Sequence, residues 1–421
     1  MTPEQALARI EALERFGIDL GLDRVLACLE RLGRPQERFP AVHVAGTNGK
    51  GSVCAFVASA LQRAGYRVGL YTSPPLERFG ERIRVDGCDL PDDAVPELLE
   101  AVERTGVELT QFEVITAMAF LHFARQGVDA AVVEVGLGGR LDATNVVRAE
   151  VSVVTNVGLD HVAYLGPGLA DIAREKAGIA RAGTPLVTGA EGEALACIET
   201  EARRRGAPVR VLGRDFGVEG GGGCFRYEGP RWSLQELRPA LRGSHQGANL
   251  ALAVAALECL DARGWRIPEG AVRSGVASAR WPGRLEVVGE GPRVVLDGAH
   301  NPHASRALAR ALQEEFRWDR LWLVLGVLGD KDALGIVSDL APLADRILVT
   351  RSASSRALPP ARLARAAREA AGAEARGVAS VPLALEQALE GAGAGDLVCV
   401  TGSLTVVAEA RAWLRRAGWL R

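Results

Sequence analysis

The chain has 421 residues, 48% hydrophobic and 24% charged, with a formal net charge of -2; this suits two or three globular domains and offers no basic surface to nucleic acid or an anionic membrane. No apolar run reaches the ~18 residues of a membrane span, and the opening MTPEQALARIEALERFGIDLG is charged and amphipathic rather than a signal peptide. Seven widely spaced cysteines, odd in number and without a C-x-x-C pair, read as thiols of a reducing compartment, so the expected setting is the cytoplasm, without zinc.

In chain order, residues 3 to 33 read as two short helices joined at FGIDLG. From AVHVAG onward, apolar runs alternate with helical patterns: RVGLYTS, AAVVEVG, VSVVTNVG and TPLVTG. Such alternation predicts βαβ units and a mostly parallel sheet covered by helices. Residues 215–240, with GVEGGGGC and FRYEG, predict a hairpin or loop insertion ahead of a helix at QGANLALAVAALECLDARG. The Pro/Gly-rich WPGRLEVVGEGPR is the expected linker, which puts the domain boundary at 288. A second alternation, RVVLDGAH, LWLVLGVLGDKD, RILVTRS and DLVCVTGS, predicts a smaller α/β domain over 289–421.

Composition itself marks individual residues. Of 50 basic side chains only three are lysine, Lys50, Lys176 and Lys331, and there are only five asparagines, Asn48, Asn145, Asn156, Asn249 and Asn301. A bias this strong spares a residue where its chemistry is hard to replace, or where a turn needs the left-handed conformation that asparagine tolerates. Lys50 lies in GTNGKGS, between a predicted strand and a predicted helix. Glycines there let backbone N–H groups turn toward an anion, and a helix N-terminus adds partial positive charge. Lys50 can reach a β- or γ-phosphate, and Ser52 can offer a hydroxyl to Mg²⁺. Position 44 is valine and Gly51 separates Lys50 from Ser52, so the loop departs from the common G-x-x-x-x-G-K-[ST]. The reading is a nucleoside triphosphate site. Ser73, Glu134, Asp160 and His161 follow three further predicted strands, whose ends converge where open α/β sheets bind ligands. Hydroxyl, carboxylate and imidazole could together hold a divalent ion.

GTNGKGS, TSPPLERFGERI, VEVGLGGRLDATN, LDHVAYLG, IAREKAGI, HQGANLALA, WPGRLE, LDGAHNP, GVLGDKD and TGSL occur in that order. The series resembles folylpolyglutamate synthases and bifunctional dihydrofolate synthases of the Mur ligase superfamily, from about residue 16 to about residue 405. The resemblance implies a P-loop ATPase-like N-terminal domain over 1–288, a Rossmann-like glutamate ligase domain over 289–421, and a site in the cleft between them. It implies that ATP meets Thr47, Asn48, Gly49, Lys50, Gly51, Ser52, Asn249, Arg284, Asp297 and His300. Two Mg²⁺ would be held by Ser73, Glu134, His161 and Ser52, with Lys176 serving as a carbamate. Lys50, Lys176, His161, Asp297 and His300 are the implied catalytic residues. Arg24, Phe112, Glu113 and Asp142 are the implied folate contacts, with a core role the alternative for Phe112. Pro75 and Gly80 depart from the histidine and asparagine expected there.

The implied reaction adds L-glutamate, with ATP, to a folate and also to dihydropteroate. A carboxylate takes the γ-phosphate to give an acyl phosphate, and the glutamate amine then displaces phosphate. A monomer is the default state. Two other readings stand beside this one: a cell-wall ligase joining an amino acid to a UDP-sugar peptide, and a nucleotide-gated binding protein without turnover. Only 45 residues precede Gly46, too few for the separate UDP-recognition domain of the former.

Overall fold

The computed structural model describes residues 1–17 and 19–420, so position 18, inside the expected joint FGIDLG, lies outside the described residues. The chain forms two compact units, Met1–Ala240 with Gln246–Ala279, and Leu241–His245 with Arg280–Arg421.

The first unit opens with helices Pro3–Ala12 and Asp23–Arg31, in the places the sequence predicts. Thr2 and Gln5 start the former by capping each other's backbone N–H. Eight strands follow: β1 (Pro40–Ala45), β2 (Val68–Tyr71), β3 (Ile83–Val85), β4 (Cys88–Asp89), β5 (Ala130–Glu134), β6 (Arg148–Val154), β7 (Leu186–Thr188) and β8 (Val209–Val211). They form one sheet in the order β4-β3-β2-β5-β1-β6-β7-β8. Pairing is parallel from β2 to β8, and β3 and β4 fold back antiparallel at the edge. All five residues of β5 are buried, which is why AAVVE shows no alternation: a central parallel strand is covered on both faces. On one face, Phe39 meets Phe120 and Phe123 edge-on with ring centroids 6.1 and 5.8 Å apart.

Where a hairpin or loop insertion was expected, β9 (Gly217–Gly221), β10 (Cys224–Glu228) and β11 (Ser233–Leu237) make a three-stranded antiparallel sheet. Helix Gln246–Ala262 follows, buried on most sides, as its almost uniformly apolar sequence requires.

The second unit is a six-stranded sheet of order β12-β13-β17-β14-β15-β16. Its strands are β12 (Glu286–Val288), β13 (Arg293–Leu296), β14 (Leu321–Leu325), β15 (Arg346–Val349), β16 (Ala375–Gly377) and β17 (Leu397–Thr401). Only β12 runs antiparallel, pairing Val287 with Val295. The compact units therefore part at Ala279/Arg280 rather than at 288, because EVV in the expected linker is an edge strand of the second sheet. Three residues are too few to show a strand period, and the segment Leu241–His245 carries no signal that it joins the later unit.

Candidate active site

Four parallel neighbours, β2, β5, β1 and β6, point their C-terminal ends the same way. Those ends lead to Ser73, to Glu134, to the loop 46–49 and to the segment 155–161. Sheet order alone thus brings together four segments that are far apart in sequence, at the edge where α/β sheets bind ligands.

The loop after β1 hands directly to helix Lys50–Arg63, whose cap is Gly49 at φ 81°. A Cβ on Gly49 would also lie 2.3 Å from Asn249 Oδ1, so conformation and space both demand glycine. A Cβ on Gly46 would lie 1.8 Å from Thr155 Oγ1. Here the loop is held from the end of β6. Thr47 N donates to Asn156 O at 3.0 Å, Asn48 N to Asn156 Oδ1 at 3.0 Å, and Thr155 Oγ1 to Asn48 O at 2.6 Å. Thr47 Oγ1 accepts from Gly158 N at 3.0 Å. Lys50 folds back over the loop, donating to Gly46 O at 3.2 Å and Thr47 O at 3.3 Å. Gly51 and Ser52 lie in the first helical turn, with Ser52 only 2% exposed.

Lys176, on helix Leu169–Ala177, is 4% exposed and donates to the same Gly46 carbonyl at 2.9 Å. Two of the chain's three lysines therefore share one acceptor. Burial, and then the Lys50 charge, lower the Lys176 pKa from 10.5 to about 7, against the opposite pull of Asp160 and Asp142. Lys331 lies in the second unit, where its Nζ is 3.9 Å from Asp330 Oδ2.

Of the expected metal set, the structure joins Ser73 and Glu134: Ser73 N donates to Glu134 Oε2 at 3.2 Å, and Glu134 is buried at the end of β5. His161 stands apart in character. Its side chain is 38% exposed, its backbone is left-handed at φ 51°, and its Nε2 lies 3.9 Å from Asp160 Oδ1. Among the described residues no three His, Cys, Asp or Glu side chains form a metal cluster. The oxygen donors Glu134, Ser52 and Ser73 suit a hard cation such as Mg²⁺, which takes one or two carboxylates and fills its remaining positions with water and phosphate oxygens.

The expected folate residues are engaged with their own surroundings. Glu113 caps helix Gln111–Gln126, accepting from Thr110 N at 2.8 Å, and also receives Arg24 Nε at 3.2 Å. Arg24 in turn holds Asp19 Oδ2 at 2.6 Å. Phe112 packs against the core, its ring occupying the space a Cβ on Gly136 would need. Asp142 is buried and accepts from Leu137 N at 2.8 Å, Thr144 N at 3.0 Å and Thr144 Oγ1 at 2.5 Å. Burial raises its pKa against those hydrogen bonds. Gly80 has a physical reason for lacking the expected side chain: its Cβ would lie 2.4 Å from Leu90 O.

In the second unit, Asp297 follows β13 and accepts from Leu285 N at 2.8 Å and Ala299 N at 2.9 Å. His300 Nδ1 is 2.8 Å from Gly298 O, and a Cβ on Gly298 would meet Arg284 Nη1. Arg284, Asp297 and His300 thus belong to one turn system.

Sequence reasoning did not name Thr155, Gly158 or Gln246 as site residues, and it marked Asn156 only as a scarce asparagine. Gln246 donates to Ser52 Oγ at 3.4 Å and accepts from Asn249 Nδ2 at 2.9 Å. Buried His43, the fourth residue of β1, was also passed over; its Nε2 is 2.9 Å from Thr144 Oγ1, and burial lowers its pKa to about 3.

Comparison with known proteins adds an independent line. A family model of the Mur ligase middle domain matches residues 44–257, and one of the Mur ligase glutamate ligase domain matches 283–404. The chain is 38% identical to a Bacillus subtilis dihydrofolate synthase/folylpolyglutamate synthase, covering 98% of this chain and 99% of the relative. It resembles Escherichia coli FolC in complex with DHPP and ADP with a TM-score of 0.91 and 36% identity, covering 98% of each chain. It also resembles a Yersinia pestis bifunctional folylpolyglutamate synthase/dihydrofolate synthase complexed with AMPPNP and Mn, with a TM-score of 0.89 and 33% identity, over 99% of this chain and 98% of that one.

Proposed function

The chain belongs to the Mur ligase superfamily, among its folylpolyglutamate and dihydrofolate synthases, and from that premise we propose how its residues divide the work. It is an ATP-dependent amide ligase that adds L-glutamate to folates and uses a divalent metal with the nucleotide. We assign it both acceptors, dihydropteroate for the first glutamate and a reduced folate for extension. The observation that carries the residue assignment is the convergence of Lys50 and Lys176 on the Gly46 carbonyl.

Condensing an acid with an amine needs activation, and transferring phosphate to a carboxylate brings one anion onto another. The loop amides and Lys50 oppose that repulsion at the β/γ-phosphates, and Asn48 and Gly49 shape the loop around them. A bound divalent metal supplies further positive charge there; Ser52, Ser73 and Glu134 would hold it, with His161 and a second ion completing the assignment. Burial, and then the Lys50 charge, lower the Lys176 pKa to about 7, which favours the neutral amine over the ammonium. Its neutral amine takes up CO₂ as a carbamate, releasing one proton and placing a carboxylate beside Lys50, where an ammonium only repels. Asn249 is assigned to the nucleotide, and the resemblance of their motifs assigns Arg284, Asp297 and His300 to it as well. Arg24, Phe112, Glu113 and Asp142 shape the folate side, the three polar ones through the turns and helix cap they hold.

Neither the cell-wall ligase nor the binding protein without turnover is favoured, since relatives matched over nearly the whole chain are named for folate glutamylation. Among the described residues no helix is long and apolar enough to cross a membrane. All seven cysteines are free, which suits the cytoplasm as the setting we propose, with a monomer as the default state. The test is one assay run in parallel on dihydropteroate, tetrahydrofolate and a UDP-muramoyl peptide. Phosphate release should require L-glutamate and either folate acceptor, and not occur with the peptide. Silence with dihydropteroate alone would reduce the enzyme to tail extension, and hydrolysis indifferent to acceptor and glutamate would remove the ligase reading.

A further inference from the structure

Gln246 is a polar side chain, 1% exposed, on the first turn of helix Gln246–Ala262. Asn249 lies three residues on, hence on the same helical face. Asn249 Nδ2 donates to Gln246 Oε1 at 2.9 Å, which places the nitrogen end of the glutamine amide on the other side. That nitrogen donates to Ser52 Oγ at 3.4 Å. Asn249 and Ser52 are also buried, at 6% and 2% exposure, so bulk water does not compete for these groups. The row therefore runs in one donor–acceptor sense, from Asn249 through Gln246 to Ser52. Both of its ends rest on the phosphate loop, since Asn249 Oδ1 fills the space over the bare Cα of Gly49.

A hydroxyl has one hydrogen to give and two lone pairs to receive. We propose that Gln246 is a positioning residue for the metal–nucleotide complex: by filling one lone pair of Ser52, it turns the second lone pair toward the metal that accompanies the nucleotide. The proposal rests on the nucleotide reading of the loop. Without the glutamine N–H, the Ser52 hydroxyl is free to turn, and part of its orientation must be fixed at the moment of binding. A glutamine that merely fills space would have no such selective effect.

The test is calorimetric titration of ADP into the full-length enzyme with and without Mg²⁺, alongside the unfolding midpoint. Wild type comes first: no affinity for Mg²⁺–ADP would overturn the nucleotide reading itself, separately from the role of Gln246. In Q246M, which keeps length and bulk, Mg²⁺–ADP should bind about tenfold more weakly while metal-free ADP stays within about twofold. Adding Q246M to Ser52→Ala should weaken Mg²⁺–ADP by no more than about twofold further, because the acceptor is already gone. Equal weakening with and without Mg²⁺, no weakening, or a full tenfold loss on the Ser52→Ala background would overturn the proposal. If Q246M does not fold, Q246A, which leaves room for a water beside Asn249, gives the same readout.

Discussion

In the phosphate loop most of the polar groups belong to the backbone, and neighbouring segments hold the loop without using up its lysines. Lys50 and Lys176 donate to main-chain carbonyls there, and Thr155 and Asn156 hold the loop from the side. Around Arg24, Glu113 and Asp142 the arrangement is the reverse. Charged side chains bind one another, cap a helix or close a turn, so their first function is local structure. Motifs of both kinds look alike on the page. A loop that binds through its backbone betrays itself by its glycines, whereas a buried carboxylate that closes a turn has the same letter as one that grips a ligand.

The largest effect should come from Lys50→Arg, which keeps the charge. The planar guanidinium cannot occupy the compact position of an ammonium over Gly46 O and Thr47 O, and turnover should fall by roughly 10³ or more. Turnover within a few-fold of wild type would make Lys50 an ordinary loop charge and erase the contrast. Lys176→Arg should follow, with a loss of about 10² in kcat, because a guanidinium neither loses its proton nor takes up CO₂. An unmodified ammonium in a high-resolution map of active, bicarbonate-supplied, nucleotide-bound enzyme would sink the carbamate.

Glu113→Ala probes the other region. It removes the Glu113 half of the capping box on helix Gln111–Gln126 and one of the two carboxylate partners of Arg24, and should cost about 2–3 kcal/mol in chemical denaturation with KM for ATP unchanged within about twofold. A tenfold rise in folate KM at unchanged stability would instead make Glu113 a ligand group. The smallest effect is a slope. The folded-state pKa of Lys176, about 7, lies below the usual 10.5 of the unfolded chain. Between those values the unfolded state binds the extra proton, so this residue's contribution to stability rises with pH and is flat below about 7. In CO₂-free buffer, wild type should gain midpoint relative to Lys176→Met from pH 7 to 10; parallel curves would remove the lysine from the account.

The scarce residues show how far composition could be pushed. Asn48, Asn156 and Asn249 gather on the phosphate loop, whereas Asn301 caps helix Pro302–Glu315 and Asn145 holds the carbonyls of Arg140 and Gly178. Scarcity thus marked positions with demanding hydrogen-bonding geometry, and ligand work is only one source of such demand.

Read by itself, the sequence determined the alternation of strands and helices, the two α/β units, the glycine loop and the family. Each of these is written in local periodicity or in contiguous motifs, which need no knowledge of distant residues. Only the tertiary structure decided that Lys176 reaches Gly46 across 130 positions, that β12 belongs to the later sheet, and that Gln246 touches Ser52. Those outcomes depend on sheet order and on which side chains burial forces to pair. A buried donor takes whatever acceptor the fold brings near it, and its neighbours in sequence do not name that acceptor.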